Sequence, residues 1–291
     1  MGAREVWMVP PGGIGFNDET KDSNVFQTHK EDLSASIFEF DNLVDSLNRA
    51  GVGVTLLRPS QFGPDSHFPN NWISTHAPGI LVTYPMLSPT RRLERDAGVV
   101  QWILENYVVD KQLDYTHFEL DHRYMEGTGS LVFDPTRPLV FACRSPRNDE
   151  SLVRQIASEL CCEAVIFDAK DEAGRPYYHT NVVLSLGSRL CVACLESFDA
   201  STADTLKEHR DVIAVSREQV HHFCGNILEL ESLFGHPVVA MSESAWSAFE
   251  PNQKALIESL AQPVVVSVPT IEAVGGGSVR CMIAENYLSR R

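Results

Sequence analysis

The chain has 291 residues, with 24 Lys and Arg against 39 Asp and Glu, so its formal net charge is −15 at pH 7. A hydrophobic share of 43% and a charged share of 22% are ordinary for a globular protein and exclude collagenous, low-complexity and coiled-coil classes. No basic run is longer than Arg91-Arg92 or Arg290-Arg291, which disfavours nucleic acid as a partner and leaves small-molecule chemistry as the better expectation.

No apolar stretch approaches the roughly 18 to 20 residues of a membrane span. The start places Arg4 and Glu5 just ahead of Pro10-Pro11-Gly12-Gly13, with no apolar signal core. Seven cysteines, an odd number, fit reduced thiols rather than a disulfide framework. The expectation is a soluble cytoplasmic protein with no membrane contact.

In chain order, the patterning predicts a helix over Asp32 to Ala50 and strands over Val52 to Leu57 and Gly79 to Tyr84. A helix over Arg91 to Tyr107 follows, then strands over Ser130 to Phe133 and Leu139 to Cys143 and a helix over Glu150 to Glu159. Strands over Ala164 to Asp168, Asn181 to Leu186 and Leu190 to Leu195 lead to a helix over Ser201 to His209. The remainder reads as strand Val212 to Val215, helix Arg217 to Phe223, strand Val238 to Met241, helix Ser242 to Ala261 and strand Val264 to Val268. This alternation predicts an α/β protein, and with no Gly/Ser or Pro-rich linker a single domain over residues 1–291 is expected.

Four segments carry residues suited to chemistry. Gly275-Gly276-Gly277 before Cys281 permits close backbone approach to a ligand and presents a thiol; a flexible turn before a buried cysteine would look the same. Tyr178-His179-Thr180-Asn181 brings an imidazole able to move protons near neutral pH to the start of an apolar strand. Glu126-Gly127-Thr128-Gly129 sets a carboxylate on a glycine-flanked turn, and Pro64 to Trp72 is a polar loop holding Asp65, Asn70 and Asn71. Cys191 and Cys194 have CxxC spacing, but they fall in an apolar strand and no second ligand pair follows, so core packing is the better reading. The adjacent pairs Cys161-Cys162 and His221-His222 are poor chelates.

Taken in order, the Phe68-Pro69-Asn70-Asn71-Trp72, Glu126-Gly127-Thr128-Gly129, His179-Thr180-Asn181 and Gly275 to Cys281 segments resemble the pentein superfamily. This group includes arginine deiminases, dimethylarginine dimethylaminohydrolases and amidinotransferases, and the sequence looks most like its arginine-deiminase-related, citrulline-utilising branch. Met8-Val9-Pro10 and the segment 17–27 resemble that branch's start. The resemblance implies a five-bladed α/β propeller of ββαβ units around a central channel, Cys281 as nucleophile, His179 as acid and base, Glu126 as carboxylate, and no metal or organic cofactor.

One departure bears on substrate. Where deiminases of this kind have carboxylates that clamp a guanidinium, this chain has Asn71 and Asn181. A guanidinium offers only donors, whereas a neutral ureido group also offers a carbonyl acceptor, and a carboxamide can both donate and accept. The expected reaction is therefore hydrolysis of L-citrulline to ornithine, CO2 and ammonia. The alternatives are an arginine deiminase or dihydrolase, then an amidinotransferase or a non-catalytic binding module. Asp65 and Asn24 are expected to support the site, Arg147 is named with them as substrate-binding, and Arg144, Arg147 and Arg280 all remain candidates for the α-carboxylate. A free amino acid is the expected partner, with a homodimer left open.

Overall fold

The computed structural model describes residues 2–13, 15, 17–20, 24–28 and 32–291. Residues 21–23, inside the segment resembling the branch's start, lie outside the described residues.

Among the described residues the strands form five three-stranded sheets. The first contains β1 (Glu5–Met8) and β2 (Gly53–Leu56), and the second β3 (Ile73–His76), β4 (Ile80–Thr83) and β5 (Lys111–Asp114). The third holds β6 (Val132–Phe133), β7 (Leu139–Cys143) and β8 (Glu163–Phe167). In the fourth lie β9 (Leu184–Leu186), β10 (Cys191–Ala193) and β11 (Ile213–Ala214), and in the fifth β12 (Leu228–Glu231), β13 (Pro237–Ser242) and β14 (Gln262–Val266). The last strand, β15 (Ala284–Asn286), returns to the first sheet and pairs antiparallel with β1, Trp7 opposite Ala284.

Every sheet repeats one topology. An inner strand pairs antiparallel with a middle strand, a helical segment follows, and an outer strand pairs parallel with the middle one. This is the ββαβ unit, and five of them make the propeller expected above. The five inner strands β15, β3, β6, β9 and β12 all line a central cavity of about 670 Å³.

Local sequence explains the helical connections. Asp32, Asp96, Asp149 and Asp199 each cap the helix between a middle and an outer strand, accepting from a main-chain N–H of the first turn. The helix Leu33–Arg49 buries Phe40, Leu43 and Leu47 on one face, against Val238, Ala240 and Val264 of the fifth sheet. Removing each of these side chains from water contributes roughly 1.5–3 kcal/mol.

Several elements differ from the sequence reading. β1, β3, β5, β12 and β15 have no predicted strand, and the predicted helix Arg91 to Tyr107 is two helices, Pro89–Arg92 and Ala97–Asn106. The predicted helix Ser242 to Ala261 is two helices, Glu243–Ala248 and Pro251–Leu260, because Pro251 cannot donate to the preceding turn and instead opens a new one. The segment expected to enter β9 as strand from Asn181 is a 3-10 turn over Thr180–Val182. Between β14 and Gly276 stands a helix, Pro269–Gly275, which ends on Gly276 in the left-handed region at φ 62°; the glycine run is its cap, not a loop directly after a strand.

Candidate active site

A turn precedes each inner strand, and these turns meet at one end of the central channel. Pro69–Asn71 leads into β3, Gly127–Ser130 into β6, Thr180–Val182 into β9 and Val279–Met282 into β15; Phe223 to Asn226 closes a turn ahead of β12. Together they deliver Asn71, Glu126, His179, Asn181, Asn226 and Cys281, each 3% exposed or less.

Glycines permit the approach. Gly127 has φ 45° and a Cβ there would lie 2.2 Å from the Asn70 main-chain oxygen. A Cβ at Gly129 would lie 2.4 Å from Asn71 Nδ2 and 2.7 Å from His179 Nδ1. The Glu126 motif is thus a helical turn packed against two other blades rather than a hairpin entry.

His179 Nε2 lies 2.8 Å from Glu126 Oε2. Burial alone would raise the Glu126 carboxyl, but Arg147 at 3.3 Å, the His179 hydrogen bond and Arg91 at 4.0 Å outweigh it and hold the group well below the usual carboxylate range. An ionised carboxylate only accepts, so Nε2 carries the proton and Nδ1 keeps its lone pair. Burial lowers the imidazole to about 4 despite Glu126, which keeps it neutral at pH 7. Nδ1 is therefore available to receive a proton.

Cys281 Sγ lies 3.3 Å from Asn226 Nδ2 and 3.8 Å from Asn181 Nδ2. Burial pushes its thiol up, while the Asn226 contact, the Ser278 main chain, Arg280 and Asn181 oppose the rise. Asn181 Nδ2 also donates to the Thr128 main-chain oxygen, at 3.3 Å. Asn71 Oδ1 accepts from Arg91 Nη1 at 2.9 Å. Asn71 Nδ2 and Asn181 Oδ1 are both buried with no hydrogen-bond partner among the described residues.

Cys281, His179, Asn71, Asp65, Asn24 and Arg147 line one narrow cavity of about 10 Å³, together with Arg91 and Tyr178. Glu126 stands behind His179, and Asn181 beneath Sγ. Arg147 stacks over the Tyr178 ring at 5.0 Å. Asn24 Nδ2 donates to the Gly275 oxygen at 3.1 Å and packs against Gly276. Asp65 Oδ2 accepts from Asn17, while Oδ1 has no partner among the described residues.

The two rivals of Arg147 lie elsewhere. Arg144 is surface-exposed and pairs with Glu150 and Asp168. Arg280 points to the far side of its turn, donating to the Ile283 oxygen and to Glu285, and lines the larger channel cavity instead. Two residues were not singled out in the sequence. Arg91, read only as part of a basic pair, is 3% exposed and held by a two-point contact to Glu94, both distances 3.0 Å. Asn226 sits in no motif. Its signal is positional, a glycine-asparagine pair two residues ahead of an inner strand.

Three imidazoles, buried at His67 and His179 and half-buried at His76, predict acid sensitivity. His67 and His76 are lowered by burial to about 3 and about 4, alongside His179. Each folded value lies below the unfolded one near 6.5, so unfolding takes up protons and stability falls as pH drops below about 6.5, by up to about 1.4 kcal/mol per pH unit for each histidine. Glu94, raised by burial to about 7, and Asp65, also raised, act in the opposite sense and offset part of the slope. Thermal midpoints measured from pH 7 to pH 5 should fall, and His76→Gln, which removes one titrating group, should flatten the decline. A parallel decline in the variant would contradict this assignment.

The fold and this Cys-His-Glu arrangement define a pentein, the superfamily of guanidine-modifying enzymes. Residues 10–288 match the family described as eukaryotic N,N-dimethylarginine dimethylhydrolase, and the chain belongs to that family. The sequence matches no curated protein. Among solved structures it is similar to the substrate-bound N-terminal domain of ArgZ, an arginine dihydrolase from the ornithine-ammonia cycle in Cyanobacteria. That likeness has TM-score 0.75 and 18% identity and covers 98% of this chain and 97% of that one. AgrE in complex with ornithine and NAD+ gives TM-score 0.76 at 16% identity, over 99% of this chain and 40% of AgrE. A dimethylarginine dimethylaminohydrolase adduct with S-methyl-L-thiocitrulline gives 0.66 at 13%, over 98% and 100%. The chain likewise spans 40% of full-length ArgZ. At these identities the structural likeness concerns the fold.

Proposed function

We propose that this chain hydrolyses L-arginine through citrulline to ornithine, with Cys281 as the covalent nucleophile. The observation that carries the reading is the pair of unpartnered amide atoms beside the thiol, the donor Asn71 Nδ2 and the acceptor Asn181 Oδ1. A site that must hold first a guanidinium and then a ureido group needs both functions without a fixed charge, and two carboxamides provide them. Arginine dihydrolase activity in a similarly folded domain supports this wider reading over citrulline hydrolysis alone.

In the first cycle Sγ attacks the guanidinium carbon, the C–N bond to a terminal nitrogen breaks, and His179 delivers the proton that lets ammonia leave. Water, deprotonated by Nδ1, then attacks the thiouronium carbon and releases citrulline. In the second cycle Sγ attacks the ureido carbon, Asn71 Nδ2 donates to the oxygen as negative charge develops, and the bond to the δ-nitrogen breaks to free ornithine. Water hydrolyses the S-carbamoyl enzyme to carbamate, which decays to CO2 and ammonia. One arginine and two waters give ornithine, CO2 and two ammonia. The guanidinium groups of Arg91 and Arg147 in the cavity wall suit the α-carboxylate, and Asp65 Oδ1 suits the α-ammonium.

A second reading follows from the family match: a methylated arginine would stop after one cycle, with an alkylamine as leaving group. Purified protein incubated separately with L-arginine, L-citrulline and Nω,Nω-dimethylarginine separates them. Ornithine from both arginine and citrulline, with two ammonia per arginine, supports the dihydrolase. Dimethylamine with citrulline accumulating supports the second reading, and no product from any of the three overturns both.

The amide argument has its own test. Asn71→Asp places a carboxylate where a neutral amide stood, so the ratio of kcat/KM for arginine to that for citrulline should rise by about ten-fold or more, equivalent to about 1.4 kcal/mol. An unchanged ratio would remove Asn71 from the specificity argument.

A further inference from the structure

A side chain of the fifth blade reaches the sulfur of Cys281. Asn226 is 1% exposed, and its Nδ2 lies 3.3 Å from Cys281 Sγ and 3.0 Å from the Asn181 main-chain oxygen. Its Oδ1 lies 3.6 Å from the same Sγ. Gly225 makes the approach possible, since a Cβ there would sit 2.2 Å from the Val182 main-chain oxygen. Each of the other blades sends a polar side chain from the turn ahead of its inner strand, and Asn226 completes that ring.

We propose that Asn226 is a catalytic residue that aims the Cys281 thiol through Oδ1 and stabilises the thiolate through Nδ2 once the proton has passed to His179 Nδ1. Both ends of one carboxamide serve one sulfur, so the same contact fits the protonated and the ionised nucleophile. The other groups facing Sγ do not replace it. Asn181 stands farther off at 3.8 Å, and the Arg280 guanidinium is engaged by the Ile283 oxygen and Glu285. Tyr178 donates to the Gly276 oxygen, while His179 is held by Glu126, in turn flanked by Arg147 and Arg91. The inference rests on Cys281 being the nucleophile of the proposed reaction.

Its test reads the sulfur directly. Iodoacetamide labelling of Cys281 is followed by peptide mass from pH 6 to pH 10 in the parent protein, Asn226→Asp and Asn226→Ser, beside kcat and KM for citrulline. Asn226→Asp removes the donor and adds like charge, so the labelling midpoint should move up by about one pH unit, with kcat down about 100-fold and KM within about twofold. Asn226→Ser is too short to span the contact and should move the midpoint the same way, which decides the matter if the aspartate variant does not fold. An unmoved midpoint in a folded variant, or an unchanged kcat, would overturn the proposal. Should the parent protein turn over no substrate, the hydrolase reading falls while the labelling midpoint still decides the role of Asn226.

Discussion

Cys281→Ala is expected to reduce turnover of arginine and citrulline by roughly 10⁴-fold or more, because without Sγ no covalent intermediate forms and the remaining site only binds and orients. The fold should survive. Sγ is buried, with Asn181 and Asn226 as its side-chain partners and the Ser278 main chain beside it, so the change in thermal midpoint should amount to a few degrees, and ornithine should still bind. The informative measurement is intact mass after mixing with substrate, where the parent protein accumulates the adduct and the alanine variant does not. Turnover persisting in Cys281→Ala would place the chemistry elsewhere.

Glu126→Gln is expected to damage both catalysis and stability. Its carboxylate is fully buried and faces His179, Arg147 and Arg91 together. Neutralising it leaves two buried guanidiniums with less counter-charge, and breaking such a pair costs about 3–5 kcal/mol. At about 2–4 °C per kcal/mol for a chain of this size, the thermal midpoint should fall by roughly 10 °C. Catalysis should drop about 10²- to 10⁴-fold, because an amide can present its NH2 to Nε2 and so stabilise the tautomer with the proton on Nδ1. Calorimetry and single-turnover rates below the new midpoint separate the two effects. A variant as stable as the parent would show that the buried charges are compensated elsewhere.

The helices were the most legible part of the sequence. Four of the five connections open on an aspartate that caps the following turn, which sets their boundaries within a residue or two, except where Arg91 and Arg92 drew the second one too early. The strands at the sheet edges, inner or outer, were the hardest to see. β15 reads Ala-Glu-Asn and β5 reads Lys-Gln-Leu-Asp, neither with an apolar run, because each is held mainly by main-chain pairing to one neighbour and has only three or four residues to signal it. Inner strands also face a channel, which relaxes the demand for apolar side chains.

The site divided along the same line. Cys281, His179 and Glu126 lie in segments whose glycines mark unusual backbone approach, and family resemblance could rank them. Arg91 gave no such sign. In the sequence it is half of a basic pair at the start of a predicted helix, and only the fold places it next to Asn71, Asp65 and Glu94. The reverse held for Arg280, whose neighbour is Cys281 but whose side chain leaves the site. Adjacency to a motif says little where a tight turn sends successive side chains to opposite faces.

The ring of blades also has a seam. β15 begins three residues after Cys281 and pairs with β1, so Asn286 meets Glu5 across a separation of 281 positions. Closing so long a loop is among the slowest kinds of contact for a chain to find. Until it closes, the strand that follows Cys281 is unpaired, and the turn carrying the thiol rests only on its packing against the fifth sheet. The Cys281 thiol and the groups that contact it are thus brought to their final places by the event that completes the ring, and the appearance of activity during refolding should track pairing of the first sheet rather than collapse of the other four.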